Sequence, residues 1–470
     1  NFFARLSSPT VLPVMDNMYL ESFFFFVPYR LLWYNFPKFH GAQDDPGDSI
    51  DYTIPVAHSG ALDISTITAN DYRTLLNWMG IPPSTNFPVN EISALPLRAY
   101  YLIFDEWFRD ENLIDAKWKD GVFGTNFGGD GPDSISNYYP QKRCKRHDYF
   151  TSCLPWPQKG DAVEIQSNLR FDGAAGASVA VEATSLANDT RYLDSNAATV
   201  DMSTSGTSQS AALLHTDLTI ADLRLAFQTQ RLLERDARSG TRYNEMILAH
   251  FGVTVPDFRV QRPEFLGGGS TPINLSPVAQ TTYQGTGPSL QDSKGALASI
   301  GSANGRHGWT KSFTEHGLVM GLVNVRGDIT YSQGTERYWW KSTRYDFYYP
   351  VLSQLNEQAV PIKELYWNAA DKEAVFGYQE RYAEYRYKPS RLTGLMNVDV
   401  ASNLDEYHLS EDFASEPTLG SDFILSNTGT PLDRAVAVPS QPHFVFDAYF
   451  DYQCARPMPL FGVPGNLDHF

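Results

Sequence analysis

The stretch ESFFFFVPYRLLW at residues 21–33 places four phenylalanines side by side, from Phe23 to Phe26. Successive side chains of a β-strand point to opposite faces of the sheet, so a strand with one wet face alternates apolar and polar residues. Two of the four rings would be enough to fill one face of such a strand. The run therefore indicates either a break in strand periodicity or a second apolar layer on the other face.

Two further segments have the pattern of strands, in a chain punctuated by 34 Gly and 29 Pro. PHFVFDAYFDYQ at residues 442–453 has a period of two, which predicts one core face and one more polar face. GLVMGLVNVRGDITYSQG, beginning at Gly317, is apolar on both faces as far as Arg326. This continuous apolarity predicts a strand that is covered on both sides.

Three segments have helical spacing instead. They are SALPLRAYYLIFDEWFRDENL at 93–113, LTIADLRLAFQTQRLLERDARSG at 218–240 and TRYNEMILAHFG at 241–252. Thr219 and Asp222 form a capping-box pattern at the start of the second, and Gly240 and Gly252 are typical stop residues. The apolar stripes of these segments predict helices that pack against a β-rich body.

The charge balance limits the kinds of partner. The chain of 470 residues has 37 basic and 54 acidic residues, a formal net charge of −17 and a pI near 5.0. Binding to a phosphate backbone depends on Lys and Arg that displace counterions, so a chain this acidic does not coat nucleic acid unaided. Any contact with nucleic acid must be local or delegated to a more basic protein.

Membrane, secretion and disulfide signals are absent from the sequence. No apolar run reaches the roughly 18 residues of a membrane helix, and no basic segment precedes an apolar one as in a signal peptide. Cys144, Cys153 and Cys454 include no C-x-x-C pair, which favours free thiols in a reducing cytoplasm over a disulfide scaffold or a thiolate zinc site. The first residue is Asn1, and we expect further residues upstream of it.

Residues 166–213 differ in composition from the rest of the chain. They are dominated by Ala, Ser, Thr, Gly and Asn and contain few large apolar residues. Such a segment cannot build a core of its own, so it is predicted to be a surface insertion or a disordered loop. Long segments of this kind within compact proteins are usually functional.

The densest basic cluster is KRCKRHDYF at residues 142–150. Its candidate nucleic-acid contacts are Lys142, Arg143, Lys145, Arg146 and His147. Tyr149 or Phe150 would supply a ring for base stacking. The alternative is a solvated loop or subunit interface in which these cations pair with carboxylates. A second mixed segment, YQERYAEYRYKPSR at 378–391, interleaves Arg and Lys with Tyr and Glu, which favours an ion-paired face.

Other candidate sites carry weaker signals. FLGGGSTP at 265–272 lacks the Lys and Ser or Thr of a phosphate-binding loop and is predicted to be a flexible or tightly turned loop. AQDDPGDSIDY at 42–52 offers carboxylates for a hard divalent cation, but Pro46 and Gly47 favour a simple turn. We find no catalytic constellation and predict no catalytic residue, protein metal site or cofactor. Carboxylates beside aromatic residues leave a glycosidase pair open.

Several long motifs resemble one family of viral proteins. They include LPLRAYYLIFDEWFRDENL at 95–113, KRHDYFTSCLPWPQKGDAV at 145–163, RPEFLGGGSTPIN at 262–274 and the terminal FGVPGNLDHF at 461–470. Together with the opening residues, these strings resemble the major capsid proteins of the Microviridae, small phages with single-stranded DNA, and in particular the gokushovirus branch. The resemblance spans nearly the whole chain.

The resemblance implies a mainly β fold, an eight-stranded antiparallel jelly roll of the viral capsid type with helical and long-loop insertions. Residues 1–165 would form the first part of the jelly-roll body with helical insertions, and residues 214–470 the remainder with helices and long loops. Residues 166–213 would be the variable surface insertion that makes protrusions at the threefold axes. The candidate host-facing residues in this insertion are Asn188, Asp189, Thr190, Arg191 and Tyr192.

The resemblance also implies the partners of the chain. Sixty copies would form a T=1 icosahedral shell around circular single-stranded DNA, with a small basic DNA-packaging protein and a pilot or minor capsid protein. A receptor on the bacterial surface would bind the insertion, no membrane would be involved, and assembly would take place in the host cytoplasm. The basic packaging protein would explain why the shell protein itself can be acidic.

Two interpretations follow for function. The first is a structural capsid protein without catalytic activity. The alternative is a jelly-roll carbohydrate-binding or glycan-hydrolysing protein, which the abundance of Tyr, Trp and carboxylates keeps open. In the capsid interpretation Phe23, Phe24, Phe25 and Phe26 lie on an early jelly-roll strand. Two of them would face the sandwich core, and the other two would be covered by helices, loops or a neighbouring subunit.

Overall fold

A computed structural model of the chain describes residues 1–58, 75–81, 92–118, 128–134, 138–163, 219–281, 296–355, 357–425 and 429–456, together with five short strands between residues 169 and 216. The chain divides into two compact units. The first consists of Asn1–Pro155 and Arg242–Phe470, and the second is Trp156–Thr241. The predicted insertion at 166–213 lies within the second unit.

The helices and strands of the described residues are as follows. The helices are α1 (Phe36–Phe39), α2 (Leu75–Trp78), α3 (Leu95–Ile103), α4 (Ile220–Ser239), α5 (Tyr243–Phe251), α6 (Asp257–Val260), α7 (Ser421–Ile424) and α8 (Gly429–Ala435). The strands are β1 (Phe2–Leu6), β2 (Met18–Pro28), β3 (Val56–His58), β4 (Ile92–Ser93), β5 (Asp133–Ser134), β6 (Leu169–Asp172), β7 (Val179–Glu182), β8 (Thr190–Asp194), β9 (Asp201–Ser203), β10 (Leu213–Thr216), β11 (Glu264–Pro272), β12 (Asn274–Ala279), β13 (Leu297–Gly305), β14 (Gly317–Gly327), β15 (Gln358–Pro361), β16 (Val375–Gln379) and β17 (Phe444–Ala448).

Two antiparallel sheets form the body of the first unit. One has four strands in the order β12-β13-β1-β17, and the other has three in the order β11-β2-β14. A buried cluster joins them, with Ala4 and Leu6 from β1, Met18 and Leu20 from β2, and Ala303 from β13. The prediction of a β-rich fold with antiparallel sheets is confirmed. The described strands do not close into a barrel.

Strand β2 contains the phenylalanine run and is the central strand of the three-stranded sheet. Phe25 pairs with Phe265 of β11 on one side and Met320 of β14 on the other. Phe25 is 1% exposed and packs in the cluster that surrounds α3. Phe26, on the opposite face by strand alternation, is 6% exposed, and its ring stacks on Phe313 at 4.4 Å.

The other two rings of the run are half-buried. Phe23 lies on the α3 face, where its ring contacts the ring of Phe108 at a centroid distance of 5.2 Å. Phe24 shares the face of Phe26 and lies opposite Gly321 of β14. The two faces of β2 are therefore covered by different parts of the chain: α3 and its surroundings on one, and the first sheet together with the segment that follows β13 on the other.

Helix α3 covers one face of the three-stranded sheet. It begins at Leu95 with Pro96 in its first turn and continues into a π-helical turn at Phe104–Phe108, so the predicted helix ends earlier than residue 113. Arg98 of α3 is fully buried, and its guanidinium donates two hydrogen bonds of 2.7 Å to Asp133. A buried ion pair with this bidentate geometry fixes the orientation of the helix.

The two other predicted helices are confirmed, and the start of α4 and the ends of both lie where the sequence predicts them. Helix α4 begins with a complete capping box between Thr219 and Asp222 and ends at Gly240. Helix α5 ends at Gly252, whose φ of 68° lies in the left-handed region that glycine adopts without strain. Ile220 and Phe227, part of the predicted apolar stripe of α4, are exposed.

Two strand predictions and one loop prediction need correction. Strand β17 ends at Ala448 instead of continuing to residue 453. Strand β14 is covered fully on one face and only in part on the other, where Val325 packs against the cluster between the sheets but Val319 and Val323 are exposed. The glycine-rich segment is strand β11, not a loop. A Cβ on Gly268 would lie 2.1 Å from the backbone oxygen of Ser22, so glycine permits this close pairing.

The second unit contains α4 and two small antiparallel sheets, β6-β10 and β7-β8-β9. Thr190, Arg191 and Tyr192 of the candidate host-facing set open strand β8, which pairs with β7 from Glu182↔Thr190 to Val179↔Leu193. The other two members of that set, Asn188 and Asp189, lie outside the described residues. Among the described helices of the whole chain, none is long and apolar enough to cross a membrane.

Candidate nucleic-acid interface

The basic cluster at 142–147 lies against the three-stranded sheet through one buried carboxylate. Glu21 of β2 is 5% exposed and pairs with Arg143, with Arg146 at 2.8 Å and with Arg326 of β14 at 3.0 Å. Arg146 also lies 3.6 Å from Asp328. Three guanidinium groups thus share one glutamate and one peripheral aspartate, which leaves a local excess of positive charge.

The environment of Glu21 changes the pKa of several groups. Burial by itself would raise the pKa of Glu21, but hydrogen bonds from Arg146 and Arg143 and the charge of Arg326 outweigh it, and the pKa is lowered. Burial, with repulsion from Arg143, lowers the pKa of Arg326 to about 10 in spite of the attraction of Glu21. The carboxylate is therefore ionised and paired at neutral pH.

Aromatic rings complete this cluster. The guanidinium of Arg143 lies over the rings of Phe23 and Phe108, at 4.7 and 5.1 Å from their centroids. The guanidinium of Arg146 lies 5.0 Å from the ring centroid of Tyr19. Cation–π contacts of this kind hold the planar groups against the sheet, so the two arginines join the loop at 142–147 to β2.

Lys145 has a separate partner. It is buried, and its ammonium lies 2.8 Å from Glu411 and 4.8 Å from the ring centroid of Phe423. Lys142 and His147, in contrast, are exposed. The five predicted candidates therefore divide into three cations that contact the body and two whose side chains are exposed.

Tyr149 and Phe150 do not present free rings beside this cluster. They are 5% and 4% exposed and belong to a third buried cluster with Tyr331, Phe376 and Phe423. The turn that carries them is held by Asp148, which accepts hydrogen bonds of 2.8 Å from the backbone N–H groups of Phe150 and Thr151. The expectation that these two rings stack on bases is therefore wrong.

The acidic stretch at 42–52 forms a turn. Asp48 accepts hydrogen bonds from the backbone N–H groups of Asp44 and Asp45, at 2.9 and 3.2 Å, and its carboxylate lies 3.2 Å from the ammonium of Lys38. These contacts use the carboxylate within the turn itself. Within the described residues, no group of three His, Cys, Asp or Glu side chains has the arrangement of a metal site.

The segment at 378–391 is ion-paired, as its composition predicts. Glu380 pairs with Arg386. Glu336, which lies outside the segment, is 2.8 Å from Arg391 and 3.6 Å from Lys388. The acidic partners Glu21 and Glu336 could not be predicted from the sequence, because they lie far along the chain from the cations. The available signal for Glu21 was a charged residue two positions before four consecutive phenylalanines.

The comparisons with known proteins agree along the whole chain. The pattern of the family described as "Capsid protein (F protein)" matches residues 1–466. The chain is 40% identical to capsid protein VP1 of Bdellovibrio phage phiMH2K, with 100% of this chain and 89% of that protein aligned. It is 37% identical to capsid protein VP1 of Chlamydia phage 1 and 32% identical to that of Spiroplasma virus 4, in each case over 97% of this chain.

A β-rich chain with this similarity is a structural component of a virus particle. It belongs to the phage capsid protein (F protein) family, and it is a major capsid protein of the Microviridae type. The resemblance that the sequence motifs indicated is confirmed. The comparisons give no support to the alternative of a carbohydrate-binding or glycan-hydrolysing protein, and the chain is a structural protein rather than an enzyme.

Proposed function

We propose that sixty copies of this chain form a T=1 icosahedral shell that encloses circular single-stranded DNA, as in a gokushovirus. The observation that carries this proposal is the similarity to three phage capsid proteins over 97–100% of the chain. Closed symmetry repeats each subunit contact around the particle, so modest contacts become cooperative. Exposed aromatic side chains such as Trp339, Tyr345 and Phe450 are of the type enriched in protein interfaces.

We infer that the body of the subunit is an eight-stranded jelly roll. The four strands β12-β13-β1-β17 and the three strands β11-β2-β14 share a core and are antiparallel, which is the layer arrangement of such a fold. An eighth strand would join the three-stranded sheet at a free edge, formed by β11 or β14. A reconstruction of the particle at side-chain resolution would test this, and a body of only seven paired strands would contradict it.

Residues 166–213, which lie within the second unit, are the proposed host-facing part of the subunit. The support is their composition, which has too few large apolar residues for a core. Deletion of residues 188–206 should leave particle assembly intact and reduce adsorption of particles to the host bacterium. Loss of particles after the same deletion would show instead that this segment supports the shell.

The proposed partners follow from charge. A shell built from chains of net charge −17 leaves most phosphates unneutralised, so a small basic protein would accompany the DNA inside. A pilot or minor capsid protein and a bacterial receptor complete the proposal, with assembly in the host cytoplasm. No cofactor is needed for this function, and the prediction for residues 42–52 stays a turn in preference to a site for a divalent cation.

Contact between the basic cluster at 142–147 and DNA also stays a prediction. We assign this contact to its two exposed residues, Lys142 and His147. The double substitution Lys142→Gln with His147→Gln changes only exposed side chains. It should reduce nuclease-protected DNA per particle while particle yield is unchanged. A matched control is Lys311→Gln with His250→Gln, which removes the same two residue types elsewhere in the first unit. Equal DNA content in both variants would remove the cluster from the proposal.

A further inference from the structure

The segment at 338–355, YWWKSTRYDFYYPVLSQL, exposes large apolar side chains along most of its length. This aromatic segment lies in the first unit. Its exposed apolar residues, with Val351 at 86% and Trp339 at 69%, are Tyr338, Trp339, Tyr345, Phe347, Tyr348, Tyr349, Val351 and Leu355. Single exposed apolar residues are ordinary on a protein surface, but a concentration of them marks a place where another molecule binds.

The subunit itself holds the aromatic segment in position. Asp346 accepts a hydrogen bond of 2.7 Å from the backbone N–H of Thr343, which closes a short turn. The hydroxyl of the buried Tyr382 donates a hydrogen bond of 3.1 Å to the backbone oxygen of Phe347 and accepts one of 3.3 Å from the backbone N–H of Tyr349. Because this backbone is already ordered, a partner that binds the rings loses little affinity to ordering of the segment.

A second exposed apolar segment lies at the edge of the four-stranded sheet. This edge segment, FVFDAYFDY at 444–452, consists of β17 and the residues that follow it, and β17 is the outermost of the described strands on its side of the sheet. Its exposed apolar residues, at 42% to 70%, are Val445, Phe446, Tyr449, Phe450 and Tyr452. An apolar strand at a sheet edge is a template for contact with another chain unless something covers it.

The two segments differ in charge. The aromatic segment has two basic residues, Lys341 and Arg344, and its single acidic residue, Asp346, is bound within its own turn. The edge segment has two exposed acidic residues, Asp447 and Asp451, and no basic residue. Contact of either segment with its own copy would bring like charges together, which is unfavourable, whereas contact between the two different segments brings opposite charges together.

The aromatic segment suits a protein surface better than a single strand of nucleic acid. Single strands are bound through ring faces together with cations that meet the phosphates. Here the ammonium of Lys341 donates a hydrogen bond of 2.6 Å to the hydroxyl of Tyr385 in the same subunit. Val351 and Leu355 are exposed aliphatic side chains with no ring to stack on a base. Rings and aliphatic side chains beside an exposed arginine, Arg344, have the composition of a protein–protein interface.

We propose that the aromatic segment of one subunit binds the edge segment of a neighbouring copy of this chain, with Arg344 beside Asp451 and the rings of the two segments packed together. The inference rests on the proposed shell and names the surfaces that hold adjacent copies in it. Because the two surfaces differ, the contact is head-to-tail and continues from copy to copy around a symmetry axis until the ring closes.

The first test uses intact particles and a carbodiimide, which joins an amine to a carboxylate only where the two groups touch. Digestion and mass spectrometry should find Lys341 joined to Asp447 or Asp451 in particles, and no such product in the unassembled chain. Particles with other cross-links but none between these segments would overturn the inference, and so would the same product in the unassembled chain. Failure of the unsubstituted chain to form any particle would instead contradict the proposed function.

The second test exchanges the opposite charges. Arg344→Glu and Asp451→Arg should each lower the yield of particles by about tenfold, because a contact between like charges is then repeated around the shell. Arg344→Glu with Asp451→Arg in one chain leaves the net charge at −17 and should restore the yield to within about twofold of the unsubstituted chain. Both residues are exposed, so thermal denaturation of the unassembled variants should match that of the unsubstituted chain.

The matched control is Arg306→Glu with Asp451→Arg, which reverses a different exposed arginine of the first unit and should not restore particles. Equal recovery in this control, or no recovery in Arg344→Glu with Asp451→Arg, would overturn the inference.

The substitution Trp339→Ser distinguishes a neighbouring subunit from nucleic acid as the partner of the aromatic segment. We expect it to lower particle yield, because it removes a ring from the contact between copies. A normal yield of particles would overturn the inference, and a loss of nuclease-protected DNA from those particles would identify nucleic acid as the partner instead.

Discussion

Glu21 of β2 is the shared counter-charge of Arg143, Arg146 and Arg326. Three guanidinium groups lie around a carboxylate that is almost fully buried, so Glu21→Gln would leave them without a shared counter-charge. We expect the free energy of unfolding of the unassembled chain to fall by roughly 3 kcal/mol, as when one partner of a buried ion pair is removed. Chemical denaturation measures this change.

The matched control for that substitution is Glu380→Gln. Glu380 pairs with Arg386 at the surface, where an ion pair contributes at most about 1 kcal/mol. Similar losses of stability in the two variants would contradict the view that Glu21 holds the loop at 142–147 on the sheet.

The raised pKa of Glu364 predicts that the stability of the chain depends on pH. Burial, together with the charge of Glu384 and despite that of Arg337, raises the pKa of Glu364 from 4.5 to about 7. The folded chain therefore holds this proton more tightly than the unfolded chain, and stability falls as the pH rises from about 4.5 to about 7. The loss attributable to this group is at most roughly 3 kcal/mol.

The variant Glu364→Gln tests that pH dependence. It has no proton to lose, so its stability should fall less than that of the unsubstituted chain between pH 5 and pH 7.5, in denaturation measured at a series of pH values. Parallel pH profiles for the two proteins would show that Glu364 does not titrate in this window.

At the residue scale the sequence predicted the cations of the candidate site but not their partners. Arg143 and Glu21 are 122 positions apart, and no local pattern connects them. Tyr149 and Phe150 illustrate the same difficulty, because an aromatic residue beside a basic cluster has the same local sequence whether it faces solvent or a core. The contacts of Glu364 with Arg337 and Tyr149 could not be predicted for the same reason, because these residues come together only through the fold.

Strand β2 is the element on which both layers of the first unit depend. Phe25 is fully buried against the α3 cluster, whereas Phe24 is half-buried on the other face. Phe25→Ala should lower the free energy of unfolding by about 4 kcal/mol, and Phe24→Ala by about half as much, because less apolar surface is lost. Thermal and chemical denaturation of the unassembled chain would measure both.

Two results for Phe24→Ala and Phe25→Ala would distinguish between covers for the half-buried face of β2. If Phe24→Ala costs as much as Phe25→Ala in the unassembled chain, then the half-buried face contributes fully to the monomer core. If the substitution at Phe24 instead has a larger effect on particle yield than on monomer stability, a neighbouring subunit covers that face.

At the element scale, the ends of α4 and α5 were predictable, whereas the end of α3 and the lengths of the strands were not. The capping box at Thr219 and the stop at Gly252 are local in sequence, so the pattern alone identifies them. Strand β17 pairs with β1 only from Leu6↔Phe444 to Phe2↔Ala448, and the apolar alternation continues beyond the paired residues. A strand's length depends on its partner, which periodicity cannot reveal.

The glycine run of β11 shows the same limit. Three consecutive glycines read locally as a loop, since glycine is unfavourable within strands. In the fold, Gly268 lies against the backbone of Ser22 and Gly269 against the ring of His307, so larger residues would not fit. The segments that carry Ser22 and His307 are distant in sequence but close in space, and their close approach requires glycine in β11.

At the scale of the whole molecule, sequence motifs identified the family because they are long and span the chain. They also led to the prediction of a β-rich antiparallel fold. The arrangement of the strands as four and three, with α3 covering one face of β2, could not be obtained from motifs. It depends on pairings between residues that are hundreds of positions apart, such as Ala4 with Ala303 and Phe446.

The charge of the whole molecule gives a further expectation for the particle. Because each chain is acidic, we expect packaging of DNA to depend on local contacts and on a basic partner more than on the net charge of the shell. Purified particles should therefore contain a small basic protein in addition to this chain and DNA, detectable by mass spectrometry of intact proteins. DNA-filled particles composed of this chain alone would contradict that expectation.

Electron cryo-microscopy of purified particles would show whether this chain builds a closed shell around single-stranded DNA. We expect small isometric particles with icosahedral symmetry, sixty copies of the chain in the shell, and nucleic-acid density inside. A chain that remains a monodisperse monomer under every condition tried, or that forms shells with a different copy number, would contradict it.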